Sequence, residues 1–243
     1  MQHNEITPYK DGSSKKQQVR SMFDNIARRY DLLNRLLTGG IDTKWRKITV
    51  KHALKSKPKI ILDIATGTGD IAILLARNAP DCQITALDLS EKMLELARVK
   101  SQKRSLATQI TFLQGDSENL PFDDNTYDAI TVAFGVRNFE NTMRGLEEAR
   151  RVLKPGGQMN ILEFSRPTTS PFKQLYLLYF RHILPVIGKL TSKDKRAYSY
   201  LFESSQAFPD GTEFVNLMRQ AGFTDTFHQS LTFGICTLYS GKK

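Results

Sequence analysis

The chain has 243 residues, 40% of them hydrophobic, with two cysteines, four histidines and a formal net charge of +10. This length suits one sizeable α/β domain and is short for two. The histidines are scattered and the two cysteines do not have the spacing of a metal-ligand motif, so neither residue type supports a metal site. No apolar run approaches the roughly 20 residues of a membrane-spanning helix, and no targeting signal opens the sequence, so we expect a cytoplasmic protein. The positive charge suggests an anionic partner, either nucleic acid or a membrane surface.

In chain order, residues 14–56 are predicted to form a helical cap, because apolar residues recur there at three- and four-residue steps around a break at Gly39 and Gly40. Residues 59–165 follow as a core in which strands and helices alternate. The strands are predicted near 60–65, 82–88, 109–115, 127–134 and 157–165. This alternation predicts a doubly wound, Rossmann-like α/β fold with right-handed crossovers.

Residues 166–208 are predicted to form a helical insertion that covers the substrate. Within it, residues 172–188 are rich in aromatic side chains with cations at intervals, which suits a pocket lining, a bilayer surface or an ordinary core helix. Residues 209–243 predict a helix, with Asp210 and Glu213 as its capping box, and then an antiparallel strand pair. The whole chain is thus expected to be one domain with a mostly parallel sheet of about seven strands.

Residues 60–70 read Ile-Ile-Leu-Asp-Ile-Ala-Thr-Gly-Thr-Gly-Asp, a pattern that predicts a buried strand, a glycine turn and a helix start. Gly67 and Gly69 allow a tight turn and the close approach of a ligand. The next strand is predicted to end at Asp88, where a carboxylate can accept hydrogen bonds from ribose hydroxyls. The third ends near Asp116, which is placed to accept from an adenine amino group. Together these features predict a nucleoside cofactor at the carboxyl edge of the sheet.

Two cofactor classes fit the glycine spacing. The spacing also satisfies the dinucleotide fingerprint, which alone is a weak signal. However, Asp63 and Asp70 flank the turn, and their carboxylates would repel a pyrophosphate. The same charges suit a ligand that carries an ammonium and a sulfonium. The acidic strand ends therefore favour S-adenosylmethionine over a dinucleotide.

Four stretches resemble the ubiquinone/menaquinone biosynthesis C-methyltransferase family, a branch of the class I S-adenosylmethionine-dependent methyltransferases. They are Tyr-Asp-Leu-Leu-Asn at 30–34 with Trp-Arg at 45–46, the glycine turn at 63–70, Phe-Gly-Val-Arg-Asn at 134–138, and Arg-Val-Leu-Lys-Pro-Gly-Gly at 151–157 with Glu-Phe-Ser at 163–165. The glycine turn is common to the class, whereas the other three in this order and spacing are more specific. The resemblance implies methylation of a ring carbon on a prenylated quinol.

The resemblance also implies that Thr68, Asp88, Asp116 and Ser117 contact the cofactor. The complete predicted cofactor site contains these four residues together with Asp63, Gly67, Gly69, Leu89 and Ala133. Ala133 stands where ubiquinone-producing members usually have serine, and Thr38 and Asp42 stand where serine and histidine are common. These departures favour demethylmenaquinol as the acceptor over the ubiquinone precursor 2-methoxy-6-polyprenyl-benzoquinol.

Arg137, His182 and Tyr200 are the predicted catalytic residues. Arg137 follows the fourth strand, where a guanidinium can orient a phenolate or a water, or else pair with an acid such as Glu140. His182 is the candidate base, although a histidine beside aromatic residues is more often simply packed. Tyr200 lies in a segment expected to cover the pocket.

Two further functions remain open from the sequence. The basic charge suits an RNA methyltransferase, but the loop after the fourth strand lacks the Asn/Asp-Pro-Pro-aromatic pattern and a nucleophilic cysteine. A non-catalytic subunit that binds S-adenosylmethionine is the other possibility. We expect a prenylated quinol substrate, peripheral contact with an anionic membrane at the cytoplasmic face, a homodimer as one possible assembly, and no nucleic-acid partner.

Overall fold

The computed structural model describes residues 2–9, 11–171, 173–174, 178 and 195–243. Its helices are α1 (Lys15–Leu37), α2 (Asp42–Ala53), α3 (Asp70–Asn78), α4 (Glu91–Gln102), α5 (Thr142–Val152), α6 (Lys195–Ala207) and α7 (Thr212–Gln220). Its strands are β1 (Ile60–Ile64), β2 (Gln83–Asp88), β3 (Ile110–Gln114), β4 (Tyr127–Ala133), β5 (Leu153–Phe164), β6 (Thr224–Leu231) and β7 (Cys236–Lys242). No helix of the described residues has the length and apolar character needed to cross a membrane.

The seven strands form one sheet in the order β3-β2-β1-β4-β5-β7-β6. Strands β1 to β5 are parallel to one another. Strand β7 lies between β5 and β6 and runs antiparallel to both. The predicted α/β fold is therefore confirmed. Strand order reverses at β1, since the chain goes first towards β3 and then to β4 on the other side. Connections leave this point towards opposite faces, which opens a crevice at the carboxyl ends of β1 and β4.

Both faces of the sheet are covered by helices. On one face, α2 and α3 pack Val50 and Leu75 into a core with β1 and β2, and on the other, α5 and α7 contribute Leu146 and Met218. Burial of one such side chain contributes about 1.5–3 kcal/mol. This double coverage explains the continuous apolar runs of β1 and β4.

Side-chain caps set the start of three helices. Ser14 and Gln17 form a capping box at α1, Ser90 Oγ accepts from the Met93 N–H at 3.2 Å, and Asn141 caps α5. The cap expected from Asp210 and Glu213 was wrong: α7 begins after Gly211 without a side-chain cap.

The missing cap has a physical reason, and one further local prediction differs from the structure. The Asp210 carboxylate accepts from the Arg166 guanidinium at 2.9 Å instead of capping α7. Strand β5 starts at Leu153 rather than near 157, because Leu153 already pairs with Tyr127 across a local irregularity in the register. Pro155 is tolerated there because an irregular strand start does not need every backbone donor.

Candidate active site

A cleft of about 720 Å³, measured with its open mouth, lies at the carboxyl ends of β1, β2, β3 and β4. Helix α1 forms the opposite wall. The predicted cofactor residues that line it are Gly67, Asp88, Leu89, Asp116, Ser117 and Ala133, and they are joined by Lys16, Val19, Arg20, Phe23 and Tyr30 of α1.

Asp88 joins the glycine turn to the end of β2. Its Oδ2 accepts a hydrogen bond from the Gly67 N–H at 2.7 Å, and its Oδ1 accepts one from the Ser90 N–H at 2.8 Å. Gly67 has φ +58°, a left-handed conformation that glycine adopts without Cβ strain. Burial raises the pKa of Asp88 to about 6, although the two backbone hydrogen bonds oppose the rise. The carboxylate keeps lone pairs with which it can accept hydrogen bonds from a ligand diol.

Acidic side chains outnumber basic ones around the cleft. The acids are Asp88, Asp116, Glu118 and Glu140, and the bases are Lys16 and Arg20. Lys16 Nζ donates to Asp116 Oδ2 at 2.5 Å and lies 3.5 Å from Glu118 Oε2. The Glu118 N–H donates to the other Asp116 oxygen at 2.9 Å. This surplus of negative charge favours a cationic ligand and disfavours a pyrophosphate.

The backbone is strained where β1 and β4 end side by side. Ala65 has φ +53° and Phe134 has φ +60°. Such conformations cost roughly 1–3 kcal/mol each for residues with a Cβ. A Cβ on Gly135 would stand only 2.5 Å from the Ala65 Cβ. The two turns therefore press together at the floor of the cleft, and Gly135 is the residue that permits the approach.

Asp63 lies beneath the cleft and does not line it. Its Oδ2 accepts from the Thr66 hydroxyl at 2.5 Å, and its Oδ1 accepts from the Thr131 hydroxyl at 2.6 Å. Burial raises its pKa to about 6 against these two hydrogen bonds. Asp63 thus ties the glycine turn to β4, and its predicted contact with the cofactor stays a prediction.

Thr68 and Gly69 also do not line the cleft. Gly69 has φ +81°, and a Cβ there would lie 3.0 Å from the Ala97 Cβ, so this glycine allows α3 to approach α4. The Thr68 hydroxyl donates to Asp31 Oδ1 at 2.5 Å and accepts from Lys100 Nζ at 2.9 Å. Their cofactor contacts likewise stay predictions.

Lys100 is the centre of an ion-pair network that fastens α1 to the glycine turn. Its ammonium donates to Asp31 Oδ2 at 2.8 Å and to Asp70 Oδ1 at 2.7 Å, in addition to Thr68. Arg35 of α1 pairs with Asp70 Oδ2 at 2.9 Å. Asp31 thus anchors its helix to the glycine turn.

The network continues into α2 through Thr38 and Asp42, two of the positions at which the sequence departs from the family pattern. The buried Asp42 carboxylate pairs with Arg35 and lies 3.3 Å from Arg46 Nε. Its other oxygen accepts from the Thr38 hydroxyl at 3.0 Å. Thr38 and Asp42 therefore join α1 to α2 at their corner, away from the residues that line the cleft.

Arg137 is buried beside the cleft, and its charge is paired. Its guanidinium donates to Glu163 Oε1 at 2.5 Å and to the Phe134 carbonyl at 2.8 Å. The alternative of an ion pair with an acid is thus confirmed, although the acid is Glu163 on β5 and not the suggested Glu140. Burial raises the pKa of Glu163, against the lowering effect of the guanidinium. Within the described residues, Arg137 Nε has no hydrogen-bond partner.

Tyr200 on α6 is also fully buried, and its hydroxyl donates to Asn138 Oδ1 at 3.1 Å. Asn138 lines the cleft and donates from its own amide to the Phe134 carbonyl at 3.3 Å. Arg137 and Tyr200 thus meet at the loop that holds Asn138. His182 lies outside the described residues. The catalytic roles of all three stay predictions.

The α1 wall was the part of the site that sequence reasoning underrated. The regular spacing of its apolar residues predicted a helix with one packed face. That spacing does not show whether the face packs against the core or lines a cleft. Tyr30 is the most informative member, since burial raises the pKa of its phenol while Arg46 and Arg137 oppose the rise. Its ring also packs edge-on against Phe23 with centroids 5.7 Å apart.

Residues 11–243 match the ubiE/COQ5 methyltransferase family. The chain belongs to that family. A demethylmenaquinone methyltransferase of Bacteroides fragilis is 45% identical over 98% of this chain and 97% of its own length. A ubiquinone/menaquinone biosynthesis C-methyltransferase UbiE of Geobacter sulfurreducens is 47% identical over 95% of this chain and 90% of its own. The family assignment made from the sequence is confirmed.

Solved structures share the fold of this ubiE/COQ5 family member. An S-adenosylmethionine-dependent methyltransferase of Thermotoga maritima, described as a possible histamine N-methyltransferase, superposes with a TM-score of 0.66 over 92% of this chain and 99% of that one, at 21% identity. The [4+2]-cyclase SpnF gives the same TM-score over 94% and 96%, at 18% identity. Because a cyclase shares it, the fold alone does not define the reaction.

Proposed function

We propose that this chain transfers a methyl group from S-adenosylmethionine to a ring carbon of demethylmenaquinol, giving menaquinol. The observation that carries the proposal is the 45% identity to the Bacteroides fragilis demethylmenaquinone methyltransferase over nearly the whole of both chains. The ubiquinone precursor 2-methoxy-6-polyprenyl-benzoquinol is the second candidate acceptor, because the Geobacter sulfurreducens relative is named for both quinones.

The charge and donor set of the cleft fit S-adenosylmethionine. Asp88 would accept hydrogen bonds from the ribose hydroxyls, and Asp116 with Ser117 would hold the adenine. The surplus of carboxylates around the cleft suits a ligand that bears an ammonium and a sulfonium. When bound, the sulfonium supplies a methyl group that is already electrophilic, so the protein need not activate the donor.

The task of the protein lies at the acceptor. Loss of a phenolic proton pushes negative charge onto the ortho carbon of a quinol, and groups that stabilise the phenolate therefore assist the reaction. Tyr30, whose raised pKa keeps its proton at neutral pH, can donate a hydrogen bond to that oxygen. One amide hydrogen of Asn138 is donated to the Phe134 carbonyl, and the second can be donated to the same phenolate oxygen. For the base that receives the phenolic proton, His182 stays the candidate. The ring carbon that gains the methyl group then loses its own hydrogen as a proton, and the phenolate oxygen is protonated again, which gives the methylated quinol.

Arg137 and Tyr200 support this proposal as positioning residues. Arg137 holds the Phe134 carbonyl, and Tyr200 holds the Asn138 amide from the opposite side. Holding a polar group in place before the substrate arrives reduces the reorganisation needed in the transition state.

The acceptor must be reduced for this chemistry. The oxidised quinone has neither the phenolic proton nor the electron-rich carbon, so we expect only the quinol to react. A prenylated quinol dissolves in the bilayer, and we propose that the protein works at the cytoplasmic surface of the membrane. In this arrangement residues 14–56 would form the cap, 59–165 would bind the cofactor and 209–243 would complete the sheet. The expected substrate cover at 166–208 includes 175–177 and 179–194, which lie outside the described residues.

The deciding experiment is methyl transfer followed by mass spectrometry. Purified protein is mixed with methyl-labelled S-adenosylmethionine and chemically reduced demethylmenaquinone, with the oxidised quinone and the reduced ubiquinone precursor in parallel. We expect label on the ring of the demethylmenaquinol only. Label on the precursor alone would favour the second acceptor. No label on either quinol, with cofactor binding verified by calorimetry, would reject the proposal and favour an RNA substrate or a non-catalytic subunit.

A further inference from the structure

Helices α1 and α4 present an outer face that the proposed reaction does not use. Two hydrogen bonds hold the helices side by side: Ser90 Oγ to Asp24 Oδ1 at 2.5 Å, and Lys100 Nζ to Asp31 Oδ2 at 2.8 Å. The partners occur in the same order along both helices, so the helices run parallel. An open groove separates their outer sides.

Large apolar side chains are exposed on this outer face. Leu32 and Leu36 on α1 are 65% and 49% exposed, and Val99 on α4 is 46% exposed. Leu32 and Leu36 are one turn apart and therefore share a side of α1. Val99 borders the groove next to α1. Exposed apolar residues that are grouped on neighbouring elements mark an interaction site, whereas single ones do not.

The two chain segments that contribute to this face are strongly basic. Residues 15–37 contain six Lys and Arg against two Asp and Glu, and residues 91–104 contain five against two. These two segments thus account for seven of the ten net positive charges. Arg28, Lys92 and Lys103 are exposed and form no ion pair with any residue that the structure describes. We call this surface, formed by these three cations with Leu32, Leu36 and Val99, the α1–α4 face.

We propose that the α1–α4 face binds an anionic lipid bilayer. Its apolar side chains would enter the boundary between headgroups and acyl chains while its cations pair with lipid phosphates, as in amphipathic interfacial helices. A nucleic acid would satisfy the cations but leave the two leucines in water. A second copy of the chain would bring the same positive charge against itself.

Helix α1 connects the α1–α4 face to the cleft. The inner side of α1 lines the cleft with Tyr30 and Phe23, so a membrane on its outer side brings the cleft near the layer that holds a prenylated quinol. To that extent the inference rests on the proposed function. Binding to lipid can nevertheless be tested by itself.

The test is co-sedimentation with vesicles of phosphatidylcholine, with and without phosphatidylglycerol. We expect the triple variant Arg28→Gln/Lys92→Gln/Lys103→Gln to bind anionic vesicles roughly 100-fold more weakly, at about fivefold per cation. The matched control Lys47→Gln/Lys51→Gln/Lys55→Gln removes the same charge from exposed positions on α2 and the turn that follows it, away from α4, and should stay within about threefold of the parent. Leu32→Gln/Leu36→Gln should lose about tenfold or more.

Equal losses in the triple variant and its control would overturn the inference, because net charge alone would then explain binding. If the leucine variant binds vesicles normally and the triple variant loses RNA retention instead, the face is a nucleic-acid surface. Methyl transfer to a short-tailed quinol in detergent separates the two proposals. It should be unchanged in all variants, and its absence from the parent protein would reject the proposed function while leaving the lipid result intact.

Discussion

Asp63 and Asp88 are two carboxylates with similarly raised pKa values and different surroundings. Both oxygens of Asp63 accept threonine hydroxyls from the protein itself. Asp88 accepts only backbone N–H groups and faces the cleft. The same burial therefore accompanies a structural tie at Asp63 and a carboxylate that faces the cleft at Asp88.

Cofactor affinity should depend on pH through Asp88. The carboxylate form accepts the ribose hydroxyls, so affinity should be constant above pH 7 and fall about tenfold per pH unit below the pKa near 6. Calorimetric titration with S-adenosylhomocysteine between pH 5 and 8 measures this. Asp88→Asn should bind weakly with no such dependence, whereas Asp63→Asn should retain it. A parent protein whose affinity does not change across this range would contradict the assignment.

Variants of the Arg137–Glu163 pair should show that its effect on the free energy of unfolding is distinct from its effect on turnover. Arg137→Met leaves the Glu163 carboxylate buried without its partner, which costs about 3–5 kcal/mol in the free energy of unfolding. The double variant Arg137→Met/Glu163→Gln removes both charges and should recover most of that loss in urea unfolding. Turnover should stay low in both variants with cofactor affinity kept. Full turnover in the double variant would show that Arg137 has no role at the acceptor.

At the level of single residues, the sequence predicted the lining of the cleft better than the acceptor groups. Asp88 and Asp116 could be found because a strand end fixes where a residue lies. Arg137 was found as well, but its partner Glu163 is 26 positions away along the chain. Only the pairing of β4 with β5 brings them together, and no local pattern encodes that register.

Among the elements, α1 is the one whose attachment controls the cleft. It supplies a whole wall, yet it is not part of the sheet. Asp31 and Arg35 fasten it to the glycine turn and to the start of α3 through Lys100 and Asp70. The geometry of the cleft therefore depends on ion pairs that touch no ligand.

Removal of Lys100 should weaken cofactor binding from a distance. Lys100→Met removes the cation that joins Asp31 to Asp70. Asp70 keeps its pair with Arg35, but Asp31 loses its ion pair, so α1 should move outward. The KM for S-adenosylmethionine should then rise about tenfold, which corresponds to about 1.4 kcal/mol. We expect kcat to change less. Lys103→Met, on the exposed end of the same helix, is the matched control. A fall in kcat at constant KM would mean that the network acts on the chemistry and not on the fit of the wall.

Element boundaries were predictable where the signal is local. The apolar runs gave β1, β2 and β4 nearly to the residue. The start of β5 and the cap of α7 were missed because tertiary partners compete for the same groups. Leu153 pairs with Tyr127, and Asp210 is taken by Arg166.

For the whole molecule, the cleft joins four strands and one helix that are otherwise far apart in sequence. A ligand there should stabilise the native state as a unit. At 100 times its dissociation constant, S-adenosylhomocysteine should add about 2.7 kcal/mol, which raises the Tm by roughly 5–11 °C for a protein of this size. Differential scanning calorimetry measures the shift. Asp88→Asn should show little shift at the same ligand concentration, and a full shift in that variant would place the ligand elsewhere.

The contact between Gly135 and Ala65 limits how this protein can change over evolutionary time. A methyl group added at Gly135 would stand 2.5 Å from the one already on Ala65, so Gly135 can gain a side chain only if Ala65 loses its own. The two residues can be exchanged by two successive single mutations. If Gly135 changes to alanine first, its methyl group collides with that of Ala65; if Ala65 changes to glycine first, the intermediate has glycine at both positions. We therefore expect descendants of this sequence to keep the pair unchanged, or to exchange its members by way of Gly-Gly, while the residues around it diverge.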